Sequence, residues 1–259
     1  MSNFNTVVVG GIETACLSRS ELTELMVEDC EAARNGAPCK LVFDLNGHAL
    51  ALTQTDASYR RDLARADIVH ADGQPVVIAS KLLTKTPIPE RSATTDFFHD
   101  AAMAAERSGL RFYLLGATEE VNEACEDMMR EQYPGLQIVG RHHGYFSESA
   151  EAEICAKINA LDVDVVWVGL GKPREQAFCT RNADRLKVGW LVTCGGCFNY
   201  ITGSYSRAPN WMQSAGLEWL YRMSASPKLF SWRYLTTNPV AMYLLLTRTR
   251  SGEAVDSLA

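Results

Sequence analysis

Short apolar runs alternate with amphipathic stretches along most of the chain. The runs are rich in β-branched and aromatic residues, as in Lys40-Leu-Val-Phe-Asp-Leu45 and Val163-Asp-Val-Val-Trp-Val168, and such runs predict buried strands. The stretches between them, such as Arg19–Arg34, repeat their apolar residues at helical spacing. This alternation predicts a Rossmann-like α/β fold, in which helices cover both faces of a mainly parallel sheet.

The same alternation gives the remaining elements and the domain organisation. Further strands are predicted at residues 6–9, 67–71, 111–115, 137–140 and 189–194. Further helices are predicted near residues 59–66, 76–82, 96–108, 119–132 and 148–161. Because only helical patterns remain after Gly203, we expect an α/β core over residues 1–204 and a helical C-terminal appendage over residues 205–259.

The appendage differs from the core in charge. Residues 2–204 contain 19 Lys and Arg against 28 Asp and Glu, a net charge of −9, whereas residues 205–250 contain six basic residues and one acid, a net charge of +5. Arginines alternate there with Trp and Tyr. This composition is typical of a helix that lies in a membrane interface, and equally of a cap that packs on the core with its arginines in solvent.

The whole-chain features indicate a cytoplasmic protein. A formal net charge of −6 gives no indication of a nucleic-acid partner. The N-terminus has neither a basic nor an apolar segment, so no secretory signal is predicted. The longest apolar run, Val240–Leu246, is less than half of the ~20 residues needed to span a bilayer. Any contact with the membrane is therefore expected to be peripheral.

The cysteines and histidines predict no metal site. Cys194-Gly-Gly-Cys197 has the spacing of redox and zinc sites, but no second pair accompanies it, and the eight cysteines are expected to be reduced small hydrophobic residues. In Arg141-His-His-Gly-Tyr145 the two histidines lie on opposite faces of an extended segment, so they are poorly placed to share a metal. We expect instead that Gly144 allows a close backbone approach to a ligand and that Tyr145 stacks on a ring of that ligand.

A glycine turn directly follows the strand predicted at residues 163–168. Gly169-Leu-Gly-Lys-Pro-Arg-Glu-Gln176 places Pro173 where a helix would begin. This order of strand, turn and helix start leaves free backbone N–H groups at the C-terminal edge of the sheet, where the helix dipole also favours an anion. The turn indicates an anion-binding loop or, equally, the tight connection that every α/β protein needs.

Three polar residues lie at the edge where α/β proteins bind ligands. Asp72 directly follows the strand at residues 67–71 and is either a helix N-cap or a catalytic base. Asn46 follows the strand at residues 40–45, where Asn-Gly is also a common turn signal. Arg91 precedes a Thr-rich helix start and is either a phosphate ligand or an ordinary surface arginine.

Several motifs together resemble those of a bacterial family, the WecG/TagA/CpsF glycosyltransferases. They are Ala71-Asp72-Gly73, Arg141-His-His-Gly-Tyr-Phe146, Gly169-x-Gly-x-Pro173, Gly195-Gly-x-Phe198, Arg207-Ala-Pro209 and Glu218-Trp-Leu-Tyr-Arg222. The resemblance implies inverting transfer of a sugar from a UDP-sugar donor to a polyprenyl-diphosphate-linked acceptor, without a metal ion or cofactor. It places the reaction at the inner face of the cytoplasmic membrane, in the synthesis of surface polysaccharide or exopolysaccharide, and is compatible with a homo-oligomer.

The resemblance also implies roles for individual residues. Asp72 matches the family's catalytic base, Asn46 an asparagine near the active site, and Arg91 an arginine near the donor. Gly144 and Tyr145 resemble contacts to UDP. Further substrate contacts are expected from the glycine turns and the appendage, at Gly171, Glu175, Gln176, Gly196, Asn199, Arg207, Arg222 and Arg233.

Three positions depart from the family pattern. The usual Thr-x-Asn is Asp44-Leu45-Asn46 here, so the role of the threonine does not carry over. The usual Gln-Glu pair is inverted to Glu175-Gln176, and the usual Asp after the phenylalanine is Asn199. These departures bear on the identity of the donor more than on the class of reaction.

Two other classes of function fit parts of the sequence. The strand–glycine–helix units are also those of nucleotide-dependent oxidoreductases, although G-x-G-x-x-G is missing after the first strand. The basic, aromatic tail by itself would suit a non-catalytic peripheral membrane scaffold.

Overall fold

The computed structural model describes residues 4–251, apart from the side chains of residues 228 and 229. Its strands are β1 Thr6–Val9, β2 Ile12–Ala15, β3 Lys40–Leu45, β4 Ile68–Ala71, β5 Arg111–Gly116, β6 Gln137–His142, β7 Val165–Gly169, β8 Trp190–Thr193 and β9 Arg250–Ser251. Its helices are α1 Arg19–Arg34, α2 Gly47–Thr55, α3 Ala57–Leu63, α4 Gln74–Leu83, α5 Thr94–Ser108, α6 Glu119–Gln132, α7 Glu151–Asn159, α8 Arg174–Asn182, α9 Cys197–Ile201, α10 Asn210–Ser214, α11 Glu218–Ala225 and α12 Pro227–Thr247.

Six of the strands form one parallel sheet in the order β4-β3-β8-β7-β5-β6. Helices cover both faces, because successive residues of a strand point to opposite sides. In β3, for example, Val42 packs with α1 and α5, while Phe43 packs on the other side with residues of α2, α3 and α8. The predicted α/β fold with a helical C-terminal part is therefore confirmed.

The N-terminal strand lies outside this sheet. β1 and β2 form a hairpin closed by Gly10 and Gly11, both with positive φ, a conformation that glycine adopts without strain. β9 pairs with the other edge of β1 and completes a small antiparallel sheet. The sequence predicts β1 but not β2, whose four residues Ile12–Ala15 are too few and too mixed to give a strand pattern.

The long C-terminal helix α12 packs against α2. Ala241 on α12 faces Gly47 at the start of α2, where an added Cβ on Gly47 would lie 3.5 Å from the Ala241 methyl. Among the described side chains of α12, the buried ones are Phe230, Tyr234, Ala241, Leu244 and Leu245. Within residues 4–251 none of the helices reaches the combination of length and apolar character that crossing a bilayer requires.

Helix α2 is an element that the sequence does not predict. Asn46-Gly47 has the composition of a turn, but the Asn46 side chain accepts a hydrogen bond from the Ala49 N–H at 3.1 Å and caps a helix instead. The cap places Asn46 directly at the C-terminal end of β3, at the edge of the parallel sheet.

Candidate active site

A pocket of about 310 Å³ lies at the C-terminal edge of β3, β4, β7 and β8 and is closed on one side by α11 and α12. It brings together nine of the residues that the sequence identifies as site candidates. They are Asn46, Asp72, Arg91, Gly171, Glu175, Gly196, Arg207, Arg222 and Arg233. Core and appendage therefore contribute to one cavity.

Asp72 is held in place by hydrogen bonds from two other segments, one at Asn46 and one at Thr94. One carboxylate oxygen accepts from Asn46 Nδ2 at 3.0 Å, and the other accepts from the Thr94 N–H at 3.0 Å. Burial by itself raises the pKa of this carboxyl, but the Arg91 guanidinium and the hydrogen bonds from Asn46 and Thr94 outweigh burial and hold the pKa well below its usual range. Asp72 is thus a fixed, ionised carboxylate at the pocket wall.

Arg91 connects Asp72 to the appendage. Its Nε donates to the main-chain oxygen of Asp72 at 2.6 Å, and its Nη2 pairs with Glu218 on α11 at 2.9 Å. The second oxygen of Glu218 pairs with Arg222. The Arg222 guanidinium lies 5.0 Å from the centre of the Tyr200 ring, in a cation–π contact.

The side-chain carboxylate of Glu175 bridges the two glycine turns, one at Gly171 and one at Gly195. Glu175 Oε2 accepts from the N–H groups of Gly171 and Gly195, each at 3.0 Å. The sequence predicts that these turns offer free N–H donors to an anion, but two of the donors are already bound to Glu175. The other carboxylate oxygen of Glu175, Oε1, lies 3.4 Å from Lys172 Nζ. Burial raises the pKa of Glu175 to about 7, against the opposing effect of Lys172.

Lys172 also pairs with Asp44. Its Nζ lies 2.5 Å from Asp44 Oδ2, while Asp44 Oδ1 accepts from Thr193 Oγ1 at 2.8 Å. Only 5% of each charged side chain is exposed. The floor of the pocket is therefore a buried cluster of Asp44, Lys172 and Glu175, which we call the floor triad.

The appendage arginines are held at the pocket by different kinds of contact. Arg207 is held by Asp96 and by Gln213, whose Oε1 lies 2.8 Å from Nη2. Arg233 lies over the rings of Phe230 and Tyr234. Among the residues that the structure describes, the buried Nε atoms of Arg222 and Arg233 have no acceptor. Both guanidinium groups therefore keep hydrogen-bonding capacity at the edge of the pocket.

Four predicted substrate contacts do not line this pocket. Tyr145 is 72% exposed beyond the end of β6, and the carbonyl oxygen of Gly144 accepts from Arg174. Gln176 is fully buried, and its Nε2 lies 3.4 Å from Glu175 Oε1. Asn199 is half-buried on α9, where its carbonyl oxygen accepts from the Tyr205 N–H. Their assignment to a ligand stays a prediction.

Cys194 and Cys197 are free and buried side by side. Burial raises the pKa of both thiols well above the usual value, so they are held as thiols, whereas redox and metal sites use thiolates. Across residues 4–251, no group of three or more His, Cys, Asp or Glu side chains is arranged to hold a metal ion.

The pocket also contains residues that the sequence reasoning did not select. Lys172 and Glu218 both lie inside motifs named above, but their ion pairs join segments far apart in the sequence and depend on the tertiary fold. His48 also lines the pocket, two residues after Asn46. Burial and the nearby charges of Arg233 and Lys172 lower its pKa to about 4, so its imidazole is neutral at neutral pH.

Comparison with known proteins identifies the family. Residues 7–254 match the model of the Glycosyl transferase WecG/TagA/CpsF family. An N-acetylglucosaminyldiphosphoundecaprenol N-acetyl-beta-D-mannosaminyltransferase of Bacillus spizizenii is 30% identical over 194 residues, covering 75% of this chain and 74% of that protein. A protein of the same name from Staphylococcus aureus is 27% identical over 212 residues, covering 81% and 80%.

These matches confirm the resemblance seen in the sequence motifs. The family model covers nearly the whole chain, including the strands, the pocket and the C-terminal helices. The protein belongs to the WecG/TagA/CpsF family and is a glycosyltransferase.

Proposed function

We propose that the protein transfers a sugar from a UDP-sugar donor to a hydroxyl group of a polyprenyl-diphosphate-linked saccharide, with inversion and without a metal ion. The observation that carries this proposal is the ionised Asp72 in a pocket that also contains Arg91, Arg207, Arg222 and Arg233. A base beside a cluster of guanidinium groups fits a reaction that removes a proton and releases a diphosphate. Family membership favours this function over the oxidoreductase and the scaffold.

Asp72 acts as the base for the acceptor hydroxyl. A carboxylate whose pKa is held low is a weak base, so it takes the proton late, when the hydroxyl oxygen is already bonding to an electron-deficient sugar carbon. Asn46 and Thr94 fix the carboxylate through hydrogen bonds to both oxygens. Their role is to keep Asp72 in the orientation that proton transfer requires.

The arginines stabilise the leaving UDP. Guanidinium groups bind phosphate oxygens in a bidentate manner and stay charged at every relevant pH. Arg222 and Arg233 each have a buried Nε without an acceptor in the described part of the chain, which supports a role in binding the diphosphate. Because Glu175 occupies the N–H groups of Gly171 and Gly195, we assign the diphosphate to the arginines rather than to that turn.

The acceptor follows from the relatives and from the surface of the appendage. The relatives named above are transferases whose name specifies a saccharide on diphosphoundecaprenol. Next to the pocket, α12 exposes Trp232, Leu235 and Tyr243, side chains that bind the lipid–water interface well. We therefore place the enzyme in the cytoplasm, bound peripherally to the inner face of the membrane.

The test is Asp72→Asn, assayed with a panel of UDP-sugars and a polyprenyl-diphosphate-linked acceptor by mass spectrometry. Loss of the base should lower turnover by about 10²- to 10⁴-fold while UDP binding is retained. Asp162→Asn is the matched control, because that side chain is 89% exposed and its positive φ is one that Asn also tolerates. An Asp72→Asn enzyme that keeps about a tenth of wild-type turnover would remove Asp72 from this role.

A further inference from the structure

Glu218 on α11 is an acidic side chain lodged among the arginines of the pocket. Its Oε2 pairs with Arg91 Nη2 at 2.9 Å, and its Oε1 pairs with Arg222. Only 14% of the Glu218 side chain is exposed, compared with 16% for Arg91 and 27% for Arg222. Shielding from water strengthens both ion pairs relative to surface pairs. Glu218 therefore joins a cation of the core to a cation of the appendage.

The core member of this bridge is the arginine that contacts Asp72. Arg91 donates through Nε to the Asp72 main-chain oxygen and through Nη2 to Glu218. A planar guanidinium bound at two of its edges has little freedom to rotate. The position of the charge nearest to Asp72 therefore depends on Glu218.

Glu218 also offsets a repulsion. Without its carboxylate, Arg91 and Arg222 would approach each other as like charges in a poorly solvated pocket, which is unfavourable. With the carboxylate between them, the two cations converge on a volume of about 310 Å³. The bridge thus brings the donor-binding arginine of the appendage and the arginine beside the base to the same cavity.

We propose that Glu218 is a positioning residue for sugar transfer, which couples docking of α11 to the arrangement of Asp72 through Arg91. This inference rests on the proposed function, because the reaction that Glu218 supports is the transfer catalysed at Asp72. Glu218 acts through Arg91 and Arg222 and accepts no proton from the substrate.

The kinetic test compares Glu218→Gln with the wild type. The amide retains the shape of the side chain but loses its charge, so kcat should fall about tenfold or more, while KM for the UDP-sugar rises no more than about threefold. Glu151→Gln is the matched control, because Glu151 is also buried and paired with an arginine, Arg181, but lies outside the pocket. A change in KM alone, or an equal loss of kcat in the control, would overturn the proposal.

A second readout separates this proposal from the proposed function. Hydrogen exchange of the α11 amides should be faster in Glu218→Gln than in the wild type, because the helix loses its tie to Arg91. Unchanged exchange would overturn the bridge, whatever the transfer assay shows. Failure of the wild type to turn over any UDP-sugar would instead contradict the proposed function.

Discussion

Lys172 lies between two carboxylates at the bottom of the pocket, where little solvent reaches it. Burial lowers the pKa of an ammonium group, but Asp44 and Glu175 outweigh burial and hold the pKa of Lys172 above its usual range. Lys172 is therefore charged, and it compensates acids at two positions where the family pattern has neutral residues. The floor of the pocket is therefore ionic.

The floor triad gives a stability prediction. Lys172→Met should lower the free energy of unfolding by ~3–5 kcal/mol, because it leaves the Asp44 carboxylate, and the ionised fraction of Glu175, buried without a counter-charge. The measurement is urea unfolding at neutral pH.

The control for Lys172→Met is the triple variant Asp44→Thr, Lys172→Met, Glu175→Gln, which removes all three charges together. It should be more stable than the single variant, because no uncompensated charge stays buried. A triple variant less stable than Lys172→Met would show that the cost comes from lost packing.

Site residues were predictable where the strand pattern fixed their place. Asp72 and Asn46 directly follow buried runs, so their position at the edge of the sheet followed from the alternation of strands and helices. The partners of Glu175 could not be predicted, because the N–H of Gly195 belongs to a turn twenty positions away. Sequence indicates which groups reach the edge of the sheet but not how they pair there.

At the scale of elements, the long regular segments were the predictable ones. The predicted bounds of β3, α1 and α6 agree with the structure, because their apolar spacing is unbroken. Helix α2 was missed because its cap, Asn46, is also a turn residue, and because its apolar residues are not confined to one side. The pairing of β9 with β1 joins segments over two hundred residues apart, and a local sequence pattern cannot predict such a pairing.

The contact between α12 and α2 bears on the position of Arg233, which lies on α12. Ala241 is 4% exposed and packs against Gly47, so Ala241→Leu introduces bulk that the contact does not accommodate. The substitution should lower the free energy of unfolding by ~1–3 kcal/mol. It should also weaken UDP binding, because Arg233 lies on the same helix. Urea unfolding and calorimetric titration with UDP measure the two effects.

Met242→Leu is the control for Ala241→Leu, since Met242 is the next residue along α12 and is 54% exposed. It should leave both quantities close to the wild type. An Ala241→Leu protein that binds UDP normally would mean that the α12–α2 contact does not position Arg233.

The whole molecule has two unlike sides. The core is acidic, whereas the segment from Tyr205 to Arg250 is basic. That segment also exposes large apolar side chains: Trp211, Leu220, Trp232, Leu235, Met242, Tyr243 and Leu246. Under the proposed function, this combination of charge and apolar surface would turn the basic segment towards an anionic membrane.

Trp232→Glu tests this orientation. Trp232 is 79% exposed, so the substitution should not disturb the fold, but it removes an interfacial anchor and adds a charge that anionic lipids repel. Binding to vesicles of phosphatidylglycerol and phosphatidylethanolamine should weaken about tenfold in a sedimentation assay.

Met128→Glu is the control for Trp232→Glu, because Met128 is an exposed apolar residue on α6, which packs on the opposite face of the sheet from α12. It should bind vesicles like the wild type. Equal loss in both variants, or none in Trp232→Glu, would contradict a membrane role for α12.

The pairing of β9 with β1 has a consequence for the order in which the fold is completed during synthesis. A ribosome makes Thr6–Val9 more than two hundred residues before Arg250–Ser251, so one edge of β1 stays unpaired over that stretch of translation. The inner strand β8 of the parallel sheet emerges long after β3 and β4, and Arg207, Arg222 and Arg233 emerge later still. Segments of a chain fold as they emerge, so the pocket is assembled only after the C-terminal helices that line it have been made.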